Sequence, residues 1–268
     1  MLYLKSQYKE LMVRFLLKIV LGALAILNIG LSNLYAQTIG SDGLGNFWLI
    51  DSDRVKKIDE DGKLHSSYSN LLLGAPNSID LSDPFRIFVF FHGSQTIVLL
   101  NNGAAIIGSP VDIQGLGLGE VSLACRSTRG GAWLFHRESA ELVRTDNQFT
   151  RIEQRISIPQ KILNQQPNFL TESGGVIFLG LANKFIARFD VYGAMLPQFQ
   201  IEYMNEFVVE GIHLWVKNKS MVKKVSTYNP KEVVEQFRCE CPYTPLIIRG
   251  RPACFDGVKF NFCQKNGK

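Results

Sequence analysis

Short apolar bursts alternate with polar breaks along this chain, and one arrangement of them returns five times. FWLIDSDRVKKIDEDG starts at Phe47, FVFFHGSQTIVLLNNG at Phe88 and AWLFHRESAELVRTDNQ at Ala132. IFLGLANKFIARFDVYG starts at Ile177 and HLWVKNKSMVKKVSTYNP at His213. Each has a four-residue apolar strand, a polar break, a second alternating strand, and Asp or Asn near Gly or Pro. VKFNFCQ, from Val258, reads as a shortened sixth copy. The starts are 41, 44, 45, 36 and 45 residues apart.

A further short strand precedes each later copy: PNSIDLSDP, EVSLACRSTRGG, PNFLTESGG, NEFVVEG and TPLIIRGRP. The unit is therefore strand, turn, strand, turn, strand and a variable fourth segment. Four strands per 40–45 residues is the spacing of a β-propeller blade. The expected fold is all-β, a propeller of about five or six four-stranded blades over residues 37–268, with an irregular β-sandwich as the alternative. No window carries helical periodicity, and Pro159 turns the ambiguous stretch 151–166 into strand and loop. Ring closure is expected if the strands around 40–60 complete the blade begun by 245–264.

The best-preserved copy resembles an NHL-type propeller repeat. In that pattern a glycine and an aromatic strand precede a D-x-x-R-[VI]-x-x-[IF]-D-x-x-G hairpin. The matching residues are Gly45, Trp48, Asp51, Arg54, Val55, Ile58, Asp59 and Gly62. The copy at 175–193 retains Gly175, Phe178, Phe189, Asp190 and Gly193, and the others keep only the apolar skeleton. The resemblance spans most of 40–264 and implies architecture; it brings no catalytic motif and no cofactor.

The first 36 residues read differently. Arg14 and Lys18 flank an uncharged, mainly apolar run, Ile19–Leu31, followed by Ser32-Asn33 and the small residue Ala36. This is the layout of a secretory signal peptide, with Met12 as a second possible start. A permanent anchor needs about 20 apolar residues, which this run reaches only by including a charge. The expected mature protein is periplasmic, extracellular or outer-membrane associated in a bacterium, with no stable transmembrane domain once the signal is cleaved.

Charge narrows the partners. Residues 1–36 hold Lys5, Lys9, Arg14 and Lys18 against Glu10. Setting these aside from the chain's 29 basic and 24 acidic side chains leaves 25 and 23. A net of +2 without a basic stripe excludes a nucleic-acid footprint.

Two constellations could carry chemistry. Asp51, His92, His136 and Lys217 end the first apolar strand of their units, where a propeller would bring equivalent positions to one face. Such a group could bind a metal or an anion. Polar strand ends meeting solvent are the plain alternative, and Leu181 breaks the series. Cys239, Cys241, Cys254 and Cys263 crowd the last 30 residues, while Cys125 stands apart. In an exported chain disulfides are the first reading. A zinc site and buried thiols remain open, and four cysteines allow three pairings.

No nucleophile elbow, phosphate loop or paired-acid signature is present, and GLGLGE (115–120) reads as a loop between blades. No catalytic residue, resident metal or cofactor is assigned. The expected role is a non-enzymatic scaffold binding protein partners in the cell envelope. The alternative is an enzyme, or a binder of small ligands or carbohydrate, with its site at the ring mouth.

Overall fold

A computed structural model describes residues 38–268, apart from 166, 183, 204–206, 242–244, 257, 267 and 268. The export segment expected over 1–36 lies outside the described residues. No described helix is long and apolar enough to cross a membrane.

Six antiparallel sheets follow one another along the chain, forming a six-bladed β-propeller. Blade 1 comprises β1 (Thr38–Ser41), β2 (Phe47–Asp51), β3 (Arg54–Ile58) and β4 (Leu64–Ser69). Blade 2 comprises β5 (Ser78–Asp80), β6 (Ile87–Phe91), β7 (Thr96–Leu100) and β8 (Val111–Asp112). Blade 3 comprises β9 (Val121–Arg126), β10 (Ala132–His136), β11 (Glu141–Thr145) and β12 (Ile152–Ser157). Blade 4 comprises β13 (Pro167–Ser173), β14 (Val176–Leu181), β15 (Phe185–Asp190) and β16 (Met195–Gln200). Blade 5 has β17 (Phe207–Glu210), β18 (His213–Asn218), β19 (Met221–Ser226) and β20 (Val233–Arg238). Blade 6 has only β21 (Leu246–Ile248), β22 (Arg251–Phe255) and β23 (Phe260–Phe262). The chain then returns as β24 (Gln264–Lys265), a fifth strand beside β20.

The five full copies of the repeat mark the second and third strands of blades 1 to 5. Their second strands read as unbroken apolar runs because both faces of each blade are covered. Side chains alternate across the pleat, so neighbouring residues go to opposite neighbours. In β2, Trp48 and Ile50 pack on Ile87, Val89 and Phe91 of blade 2. Phe47 and Leu49 pack the other way, on Leu246, Ile248 and Phe255 of blade 6. In β10, Leu134 meets Phe88 and Phe90 of blade 2, while Trp133 and Phe135 meet Ile177 and Leu179 of blade 4. In β18, Leu214 and Val216 join Phe178 and Ile186 of blade 4, and Trp215 joins the cysteine-bearing edge of blade 6. Among the described residues six apolar clusters thus fill six interfaces between blades, in place of a single central core.

An Asp or Asn has a defined task in five of the turns between strands. Asp59 Oδ1 accepts from the amides of Asp61 and Lys63. Asn101 Oδ1 does the same for Gly103 and Ala105, and Asp190 Oδ1 for Tyr192 and Ala194. Asp146 accepts from Thr150 and Arg151, and Asp256 from Val258 and Lys259. These are side-chain-capped turns, which short acidic and amide side chains favour. Four of them join the third strand of a blade to the fourth.

Three sequence expectations need correction. The strands at 38–69 form a whole blade of their own and donate nothing to the terminal one. Closure instead uses side-chain packing between blades 1 and 6, an Arg249–Glu60 ion pair at 2.8 Å, and close backbone approach at Gly62. A Cβ on Gly62 (φ +77°) would lie 2.0 Å from the Val258 carbonyl oxygen. VKFNFCQ contains the third strand of blade 6; Arg251–Phe255 is the second, disguised by its arginine and proline. The stretch after Pro159 is a single helical turn, Gln160–Leu163, following β12.

Asp190→Ala removes two turn hydrogen bonds and should cost about 1–2 kcal/mol in urea unfolding. Acid should act on the same device. The His65 side chain and the Lys63 amide hold the Asp59 carboxyl below its usual range, and the Lys259 and Val258 amides do so for Asp256. A folded pKa below the unfolded one gives stability that is complete above the unfolded value, about 3.9, and lost as pH falls through the folded value. The urea midpoint should therefore decline below about pH 4, more shallowly in Asp256→Asn, which keeps the acceptor and cannot ionise.

Candidate functional site

The first strands of the blades enclose an axial cavity of about 940 Å³. Ser78, Ser122, Asn168, Val208 and Ile247 are among its lining residues, with the carboxylates Glu60, Asp80, Glu172 and Glu210. Each carboxylate is already engaged. Asp80 Oδ2 accepts from the Arg126 amide of blade 3 at 2.9 Å. Glu172, buried, accepts from Trp133 Nε1 at 2.7 Å and from the Thr128 hydroxyl, both in blade 3. Glu210 accepts from Trp215 Nε1 at 3.1 Å, and Glu60 meets Arg249. These groups tie strand to strand or blade to blade around the opening. Cys125 also lines the cavity, and burial, with Asp80 and Glu172 nearby, pushes its thiol well above the ordinary range. A neutral thiol there is a packing group and a poor nucleophile.

Asp51 and His136 end their second strands, His92 stands one residue beyond β6 and Lys217 one residue before the end of β18, and each has a partner of its own. Asp51 is bonded to Lys56 across the turn. His92 Nε2 lies 2.9 Å from Glu120 Oε1, and its backbone amide donates to Asn77 Oδ1. His136 Nδ1 lies 2.6 Å from Ser139 Oγ, which donates to Glu141, itself paired with Arg155. Lys217, fully buried, donates to the Cys241 carbonyl oxygen. None of these partnerships joins one of the four to another.

His136 Nε2 is buried without a hydrogen bond among the described residues. It lies 3.5 Å from where a Cβ on Gly119 would project, beneath the GLGLGE loop. That loop connects β8 to β9, as read from sequence. Two contributors had no signal in the chain. Glu120 pairs with His92, and Gln95, at φ 49°, clamps both backbone groups of Val121 with its side-chain amide. Such contacts join residues 26 and 28 positions apart and follow only from blade stacking.

The cysteines converge between blades 5 and 6. Cys239 is paired with Cys263 and Cys241 with Cys254, within the cluster holding Trp215, Val222 and Phe237.

One face of the ring differs from the other in exposed apolar surface. Successive turns of an antiparallel sheet alternate ends, so the first and third turns of a blade share a face. Contacts between blades put those turns on the same side in blades 1 to 5: Asn102 with Asp42, Arg126 with Asp83, Arg129 with Val191, and Arg188 with Thr227. That face exposes Leu44, Phe85 (66% exposed) and Ile212 in first turns, and Tyr192 (80%) and Tyr228 (79%) in third turns. The loops of the opposite face expose Leu71 and Leu72.

Solved structures share this architecture. A streptogramin B lyase aligns with TM-score 0.57 and 12% identity, over 88% of this chain and 85% of its own. A virginiamycin B lyase from Staphylococcus aureus aligns with TM-score 0.54 and 14% identity, over 87% and 78%. The Neurospora crassa Pan2 WD40 domain gives 0.53 at 10% identity, over 79% and 68%. What they have in common with this chain is the β-propeller fold. At such identities the lyases' activity stays with the lyases. No protein-family model matches the chain, and neither does any curated protein.

Opening both disulfides should loosen the terminal blade selectively. Loops of 24 and 13 residues each correspond to about 3 kcal/mol of constraint. Mild reduction should lower the urea midpoint and expose the β20–β22 linker to protease, with blades 2 to 4 protected in hydrogen exchange.

Proposed function

We propose that this chain is an exported, non-enzymatic propeller that binds a protein partner in the bacterial cell envelope on the face of its first and third turns. The observation that carries the reading is the set of exposed leucine, phenylalanine, isoleucine and tyrosine side chains on that face. Exposed apolar patches rimmed by polar groups mark interaction sites, and large aromatics supply much of the binding energy at such surfaces. The N-terminal segment, with its basic flank and short apolar run, supports export. The engaged carboxylates of the axial cavity support a scaffold over a catalyst.

The test is affinity capture with crosslinking from envelope extracts. Phe85→Asp with Ile212→Asp should reduce recovery of a reproducible partner at least tenfold, the equivalent of about 1.4 kcal/mol. Leu71→Asp with Leu72→Asp, on the opposite face, should leave recovery unchanged. The reverse pattern, or no reproducible partner, would count against the proposal.

A further inference from the structure

Blade 6 lacks the strand that completes the other blades. Its sheet is β21–β22–β23, against four strands in blades 1 to 4 and five in blade 5. After Phe262 the chain departs to lie along β20, which leaves β23 as an open edge. The Cys263 amide donates to the Pro252 carbonyl, and the Lys259 carbonyl accepts from the Asp256 amide. Residues 259, 261 and 263 therefore face β22, and the N–H and C=O groups of Phe260 and Phe262 point outward. None of these four groups has a partner among the described residues.

Sheet edges are ordinarily blunted by charge, proline, shortness or a covering strand. The other outer strands follow that rule. β8 has two residues, β12 carries Glu153 and Arg155, β16 contains Pro197, and β20 is covered by β24. β4 is mostly serine and histidine. β23 reads Phe-Asn-Phe, with neither charge nor proline. Phe260 packs on the blade 1 interface, and Phe262, on the same side of the sheet, is 48% exposed. Two exposed cations border this edge. Arg251 lies over the Phe262 ring at 5.0 Å and forms no ion pair among the described residues. Lys259 stands beside Asp256, whose oxygens are held by the Val258 and Lys259 amides and the Asn261 side chain.

We propose that the open edge of blade 6 takes up an extended segment of a partner protein as its fourth strand. The segment that fits sets apolar side chains opposite Phe260 and Phe262 and an acidic one within reach of Arg251. Its backbone satisfies the four outward groups, its apolar residues cover Phe262, and its carboxylate meets the guanidinium. A second copy of this chain would instead bring another set of the same cations to the edge. The site is independent of the turn face, because its contacts are main-chain groups along a strand.

The full oxidised chain is panned against random peptides of about six residues, a usual strand length, and the affinities of selected peptides are measured by fluorescence anisotropy. Peptides with alternating apolar positions and at least one Asp or Glu should be enriched. Phe262→Pro removes an outward N–H and leaves the bonds to β22, and should weaken binding at least about tenfold. Arg251→Glu should turn the selection from acidic to basic peptides. On the unaltered chain, N-methylating alternate peptide amides should abolish binding for one set only, a result that a side-chain pocket would not give. Leu72→Asp should bind as the unaltered chain does. No enrichment, binding unchanged in Phe262→Pro, an acidic preference kept in Arg251→Glu, or equal effects of both N-methylated sets would overturn the proposal. So would a dimer of the chain that Phe262→Pro dissolves, since a second copy would then occupy the edge.

Discussion

Everything in this molecule depends on burying both faces of each blade's second strand. A pleated strand sends successive side chains to opposite sides, and in a ring each side is another blade. Trp48 and Phe47 are adjacent in sequence yet serve different interfaces, one with blade 2 and one with blade 6. Removing any blade would uncover two apolar faces at once. That is why the repeat must be carried through the whole circle, and why stability is spread over six interfaces.

Polar groups finish what the apolar strands begin. The capped turns set where the third strand ends and the fourth begins, while buried carboxylates such as Glu172 reach across to the neighbouring blade's indole and hydroxyl. Around the axis these bonds use up groups that could otherwise act on a ligand. The turn face keeps large apolar side chains in solvent, Tyr192 and Tyr228 among them.

The weakest point of the ring is its last blade. With three strands it has less edge to share, and its chain end returns to blade 5 as β24. Three local devices compensate: the cysteine cluster on the blade 5 side, the Phe47–Phe260 ring contact at 4.4 Å, and the Arg249–Glu60 pair on the blade 1 side. Covalent fastening by the Cys239–Cys263 and Cys241–Cys254 disulfides at that position is physically reasonable, because a short blade buries less apolar area than the others.

The chain by itself determined the β class, the repeat period, and the second and third strands of blades 1 to 5. Those features are local, written in side-chain alternation and in Asx–Gly chemistry within a few residues. The last copy was misread because Arg251 and Pro252 break the apolar run that betrays a second strand elsewhere. Which partner each strand-end residue takes was decided only by tertiary structure. His92 meets Glu120 and Lys217 meets the Cys241 carbonyl because blades and linkers stack. The number of blades, the mode of closure and the meeting of four sulfurs likewise belong to the ring, since each depends on how residues far apart in sequence come to lie side by side.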